Sequence, residues 1–148
     1  MLIGQFHGKI SSKYQTAFPK KFREILGDKL IVTQGFENSL IVVSETGWRE
    51  LLEDTQGRRL TYSSARETKR FLLGGAAFIE LDDKGRFILP EYLRKYALLE
   101  EEISFLGQDT YVEIWDKKRW EKYNQELAKN ISFNAEKLTR NEKFVNTA

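Results

Sequence analysis

Apolar and polar residues alternate loosely from Leu2 to Ile10, the period of a strand with one buried face. Thr16 to Phe18 reads as a second short strand stopped by Pro19. A proline suits the first turn of a helix, where its missing donor would have no partner. Lys20 to Leu26 follows as that helix, with Phe22, Ile25 and Leu26 spaced for its inward face. LIVTQGFENSLIVVS then gives two β-rich runs around the turn-forming GFENS. Ser44 is placed to cap a further helix whose stripe is Trp48, Leu51 and Leu52.

The same grammar recurs in the second half. AAFIEL and RFIL read as strands around DDKG, Pro90 opens the helix YLRKYAL, and EISFLG and TYVEIW form a hairpin around Gly107, Gln108 and Asp109. Asp116 takes the N-cap place of Ser44, ahead of an apolar face formed by Trp120, Tyr123 and Leu127. Laid over each other, the copies match Lys13 with Lys84, Pro19 with Pro90 and Arg23 with Arg94, 71 positions apart. After one inserted residue they match Ile31 with Ile103, Gly35 with Gly107 and Trp48 with Trp120. Between them, Thr61 to Leu73 reads as a connecting helix, with Ser64 and Glu67 at capping-box spacing and Gly74-Gly75 as its stop. The polar tail from Ser132 is expected to be either a peripheral helix or partly disordered. Each copy is too small to close a core alone, so the halves are expected to interlock. The segments are residues 1–60 and 76–130 as the two repeats, 61–75 as connector and 131–148 as tail.

Composition narrows the function classes. The 148 residues contain no cysteine and one histidine, which excludes thiolate sites and disfavours a histidine-built metal site. No apolar run approaches membrane-spanning length and no signal-peptide pattern opens the chain, so a cytoplasmic protein without a membrane partner is expected. The net charge of +2 is small, but residues 1–74 carry about +4 and residues 75–148 about −2. Asp82 and Asp83 are adjacent, and adjacent strand residues point to opposite faces, so they make a poor acid/base pair. With no nucleophile–base pattern around His7, no phosphate loop and no metal motif, neither an enzyme nor a cofactor or small-molecule substrate is expected.

The sharpest local signal is Leu81-Asp82-Asp83-Lys84-Gly85-Arg86-Phe87-Ile88-Leu89-Pro90. Gly85 permits a left-handed turn between strands, and Asp82 and Arg86 flank it at pairing distance. Such a pair would stiffen the loop and present Lys84 and Arg86 at its tip. Arginine suits bidentate contact with a guanine edge or a phosphate, and lysine suits a phosphate. Taken by spacing alone, the segment reads first as an ordinary charged β-turn, since such turns are common.

With the helix ending R-x-L-L-G, the loop D-x-K-G-R followed by a proline, and GQDTYVEIWDKKRW, the chain resembles the MraZ family of bacterial transcriptional regulators over nearly its whole length. The resemblance implies an α+β, mainly β fold: a pseudo-symmetric tandem swapped-hairpin, AbrB-like barrel with flanking helices. It further implies a ring-like homo-oligomer on double-stranded DNA, bound at repeated promoter sites of the cell-division and cell-wall gene cluster, and hence nucleoid association. It assigns DNA contact to Lys84 and Arg86 and, in the first copy, to Lys13 and Gln15, with Asp82 and Gly85 shaping the loop. The first copy departs from the pattern, since Ser11, Tyr14 and Gln15 stand where Asp, Gly and Arg are expected. Gln15 retains the ability to bond an adenine edge, and Tyr14 either packs on a sugar or on its neighbours. Arg23 and Arg94 either back the loops or contact phosphate, or else pair with carboxylates across the halves. Arg58, Arg59, Arg66, Lys69 and Arg70 form the most basic stretch, readable as a phosphate track, a solvated face or a contact between subunits. The alternative function is an oligomeric protein–protein scaffold whose DNA binding weakened with the first loop.

Overall fold

A computed structural model describes residues 1–56 and 62–147. The first half runs β1 (Gln5–Lys9), β2 (Gln15–Ala17), α1 (Lys20–Leu26), β3 (Lys29–Gln34), β4 (Leu40–Val43) and α2 (Glu45–Gln56). After α3 (Ser63–Gly74) the order repeats as β5 (Ala77–Glu80), β6 (Arg86–Ile88), α4 (Glu91–Tyr96), β7 (Glu102–Gly107), β8 (Val112–Asp116) and α5 (Lys117–Thr147). The fold is α+β, with most of its strands gathered in one antiparallel sheet. Residues 1–117 form one compact unit and residues 118–148 a second.

The hairpins are exchanged between halves. A six-stranded antiparallel sheet runs β1-β7-β8-β4-β3-β5. The first strand of the chain therefore completes the second hairpin, with Phe6 opposite Phe105, while β5 completes the first, with Ile79 opposite Leu30. β2 and β6, one from each half, form a separate antiparallel ribbon. The expected barrel is not closed: β1 and β5 end as the two sheet edges, because each pairs on one side only.

One core gathers side chains from both halves. Phe18 meets Phe22, Phe87 and Phe105 at ring separations of 6.4, 6.2 and 5.5 Å, and Phe6 meets Phe22 edge-on at 4.9 Å. Edge-to-face rings of this kind add to simple area burial. A smaller cluster on the other face of the sheet joins Ile31, Ile41 and Val43 to Trp48 and Leu51 of α2. Ser44 caps α2 as expected, its hydroxyl accepting the Gly47 amide at 3.1 Å. α3 is tied down through the Thr33 hydroxyl, which donates to the Leu72 carbonyl at 2.6 Å.

Several expectations are corrected. Ile25 is 55% exposed, leaving Phe22 and Leu26 to face the core from the short helix α1. Ser64 does not cap α3: the helix starts at Ser63 with Tyr62 as its N-cap and no side-chain cap bond. The copies are also one residue out of step with the expected match in the central strands. Leu30 and Val32, not Ile31, take the inward places held by Ile103 and Phe105 in β7. Gly107 closes β7, whereas Gly35 lies past the end of β3. The link from α4 to β7 is longer than that from α1 to β3, and a one-residue slip turns every strand side chain to the opposite face. In the second unit the helix continues past Ser132, with Trp120 and Tyr123 rings 6.3 Å apart and Ile131, Phe133 and Leu138 exposed.

Glu113 on β8 is the main electrostatic liability of the sheet. Burial pushes its carboxyl above the usual range, against the hydrogen bond from the Trp115 indole, while the Glu37 charge adds to the rise. A raised acid pKa stabilises fully below the unfolded-state value and that contribution is lost as pH rises through the folded-state value. Glu113→Gln is therefore expected to melt a few degrees above wild type at pH 7, with the two converging near pH 4 in thermal melts.

Candidate nucleic-acid interface

Two loops stand at opposite ends of the β2–β6 ribbon. Loop 1 spans residues 11–15 and loop 2 spans residues 82–86. The ribbon pairs Gln15 with Ile88, Thr16 with Phe87 and Ala17 with Arg86, so each strand leaves its own loop and runs toward the other. The Phe18 amide extends this pairing to the Gly85 carbonyl at 2.8 Å.

In loop 2 a single carboxylate organises the turn. Asp82 Oδ1 accepts the amides of Lys84 at 2.9 Å and Arg86 at 2.8 Å, while Oδ2 accepts Arg86 Nε at 2.8 Å. The Asp82 amide donates to the Arg86 carbonyl, and the Gly85 amide to the Asp82 carbonyl. The Arg86 amide is the main cause holding the Asp82 carboxyl below the usual carboxylate range, helped by the Arg86 side chain and the Lys84 amide. The expected Asp82–Arg86 pair thus forms. It fixes the guanidinium through Nε and leaves the side chain 44% exposed. Lys84 is exposed beside it.

Loop 1 builds the same turn from different chemistry. Ser11 Oγ accepts the amides of Lys13 at 3.3 Å and Gln15 at 3.2 Å, in place of the Asp82 carboxylate. The Ser11 amide donates to the Gln15 carbonyl and the Tyr14 amide to the Ser11 carbonyl, as in loop 2. Tyr14 adopts φ 62°, close to the 76° of Gly85. A left-handed non-glycine residue costs about 1–2 kcal/mol, so the surroundings must hold it there. The turn survives without glycine; the charged donor at its end does not, because Gln15 replaces Arg.

The helix arginines cross between halves. Arg23 on α1 lies against Gly85 so closely that a Cβ at that position would collide with its guanidinium. Arg94 on α4 lies over the Tyr14 ring at 3.7 Å and donates from Nε to the Leu89 carbonyl at 3.2 Å. Both therefore back a loop of the opposite half, and the cation–π contact helps hold Tyr14 in its costly conformation. Of the basic stretch, Arg66, Lys69 and Arg70 lie on α3, whereas Arg58 and Arg59 fall outside the described residues.

Spacing did not reveal the crossing, since nothing in the sequence says which loop an arginine faces. Nor did it pair His7 with Ser104, whose Oγ lies 2.9 Å from Nδ1. Ser104 is fully buried, so this hydroxyl meets no substrate. Among the described residues no group of three or more metal-binding side chains converges, and no helix is long and apolar enough to cross a membrane.

Gly85→Ala is expected to lose about 1–3 kcal/mol through its positive φ and the Arg23 collision, measured by urea unfolding. Asp82→Ser is expected to keep the loop 2 turn, as Ser11 does in loop 1, whereas Asp82→Ala releases it. Amide exchange at Lys84 and Arg86 distinguishes the two.

Comparison with known proteins identifies the family. The family model of the MraZ protein, described as antitoxin-like, matches residues 72–142, which include loop 2 and not loop 1. A transcriptional regulator MraZ from Caldanaerobacter subterraneus subsp. tengcongensis is 42% identical over 125 residues, covering 84% of this chain and 87% of its own length. The protein of the same name from Moorella thermoacetica is 39% identical over 138 residues, covering 93% and 96%. That from Desulforamulus reducens is 40% identical over 138 residues, covering 88% and 97%.

Proposed function

The chain belongs to the MraZ family of transcriptional regulators, which are not enzymes, and on that premise we propose that it regulates by binding double-stranded DNA through loop 2. The observation that carries this reading is the triple acceptor role of Asp82. It spends one arginine nitrogen on rigidity and leaves the remaining guanidinium donors and the Lys84 ammonium at the surface. A pre-fixed guanidinium can meet the O6 and N7 acceptors of guanine without losing much side-chain freedom. Arg86 is the base-reading residue in this account, Lys84 a phosphate contact, and Lys13 and Gln15 the weaker pair at the other end of the ribbon.

One such loop is a small footprint, so useful affinity requires several copies on adjacent repeats. A ring of copies on short repeated promoter sites, in the cell-division and cell-wall cluster and hence at the nucleoid, meets that need. An exposed apolar edge supports assembly: Phe78 on β5 is 86% exposed beside a surface cavity lined by Ile31, Trp48 and Leu73.

A gel-shift titration on promoter DNA carrying the repeats tests the reading. Arg86→Ala is expected to cost about 1–3 kcal/mol per engaged loop and to erase the preference over a scrambled duplex. Equal binding by variant and wild type would remove Arg86 from its role. Failure of the wild type to bind any duplex at low salt would favour the protein scaffold instead.

A further inference from the structure

The two ends of the ribbon share a backbone and differ sharply in the charge around them. At the loop 2 end, Phe18 bonds Gly85 and Arg23 covers it, and α1 opens directly afterwards with Lys20 and Lys21. Both lysines are exposed and, among the described residues, neither is held in an ion pair. They line one open groove, together with Phe18 and Pro19. At the loop 1 end the equivalent positions of α4, 71 residues on, are Glu91 and Tyr92. Glu91 is committed to Lys95 at 3.0 Å and Tyr92 donates to the Gly75 carbonyl at 3.0 Å. A second cavity there brings Glu100 and Glu101 beside Ser11, Tyr14 and Arg94.

We infer that Lys20 and Lys21 are phosphate contacts that seat the loop 2 end on the DNA backbone, while Glu100 and Glu101 weaken the hold of the loop 1 end on it. This rests on the DNA-binding reading above and adds to it a polarity of docking. The reason is electrostatic. Two ammonium groups on the helix that opens just after the Phe18–Gly85 bond add to Lys84 and Arg86 the cations needed to neutralise several successive phosphates. Carboxylates beside the Arg94–Tyr14 stack repel the same backbone, and their field is screened only beyond about 8–10 Å at ordinary salt. The scaffold supplies two equivalent loops; the helix starts and the α4–β7 link decide which of them holds phosphate more tightly.

The test is the salt dependence of affinity for a random duplex and for the repeat-containing duplex, by fluorescence anisotropy. Lys20→Gln/Lys21→Gln is expected to lower the slope of log K against log salt by about 1.8, close to 0.9 for each lost phosphate contact. Its affinity is expected to fall about tenfold on both duplexes, leaving their ratio unchanged. Glu100→Gln/Glu101→Gln is expected to bind both duplexes more tightly. Circular dichroism melts check that each variant is folded. Wild-type binding with an unchanged slope in the lysine variant overturns the inference while leaving the DNA reading intact. No binding by the wild type on either duplex at low salt overturns the DNA reading itself.

Discussion

The exchange of edge strands between the halves is the constraint on which the rest depends. β1 closes the second hairpin and β5 closes the first, so neither half has a complete sheet without the other. A half of about 60 residues is marginal by itself, and exchange allows both to share one aromatic core. Phe18, Phe22, Phe87 and Phe105 meet in that core only because strands from both halves converge there. The same exchange brings β2 alongside β6, and so places one loop at each end of a single ribbon.

Crossing of the chain also explains how the loops are held. An arginine on the helix of one half lies against the loop of the other, Arg23 on Gly85 and Arg94 on Tyr14. Gly85 is required twice over, for its positive φ and for its lack of a side chain beneath the guanidinium. Tyr14 meets the first demand at a cost and answers the second differently, by offering its ring as the surface on which Arg94 rests. The turn is thereby a property of its hydrogen-bond acceptor and its left-handed position, and either Asp or Ser serves as the acceptor.

Symmetry is consequently strong in the backbone and weak at the surface. A carboxylate acceptor brings a second oxygen that can orient an arginine, which a hydroxyl cannot do. Loop 2 therefore presents an oriented cation, and loop 1 carries the neutral Gln15 in its place. Arg23 and Arg94 lie against the loops from behind, while Lys84 and the outer face of Arg86 stand at the surface.

Much of this was legible in the residues. The limits of α1, the cap at Ser44, the turn at Gly85 and the Asp82–Arg86 pair follow from local rules, because each depends on neighbours within a few positions. The double occurrence of proline, arginine and tryptophan signalled two equivalent halves. What sequence spacing missed was non-local. Ile31 matched Ile103 as letters, yet a longer link before β7 sets them on opposite faces of the sheet. The pattern equally well suited a closed barrel or an open sheet, since hydrogen-bond partners of an edge strand leave no mark on its own alternation. Which loop each arginine backs, and which lysines flank which loop, was decided only when the hairpins exchanged. Sequence by itself determined the turns and the chemistry of each loop, because these are short-range. Tertiary structure decided which chemistry stands beside which, because strand exchange brings together residues about 45 to 100 positions apart.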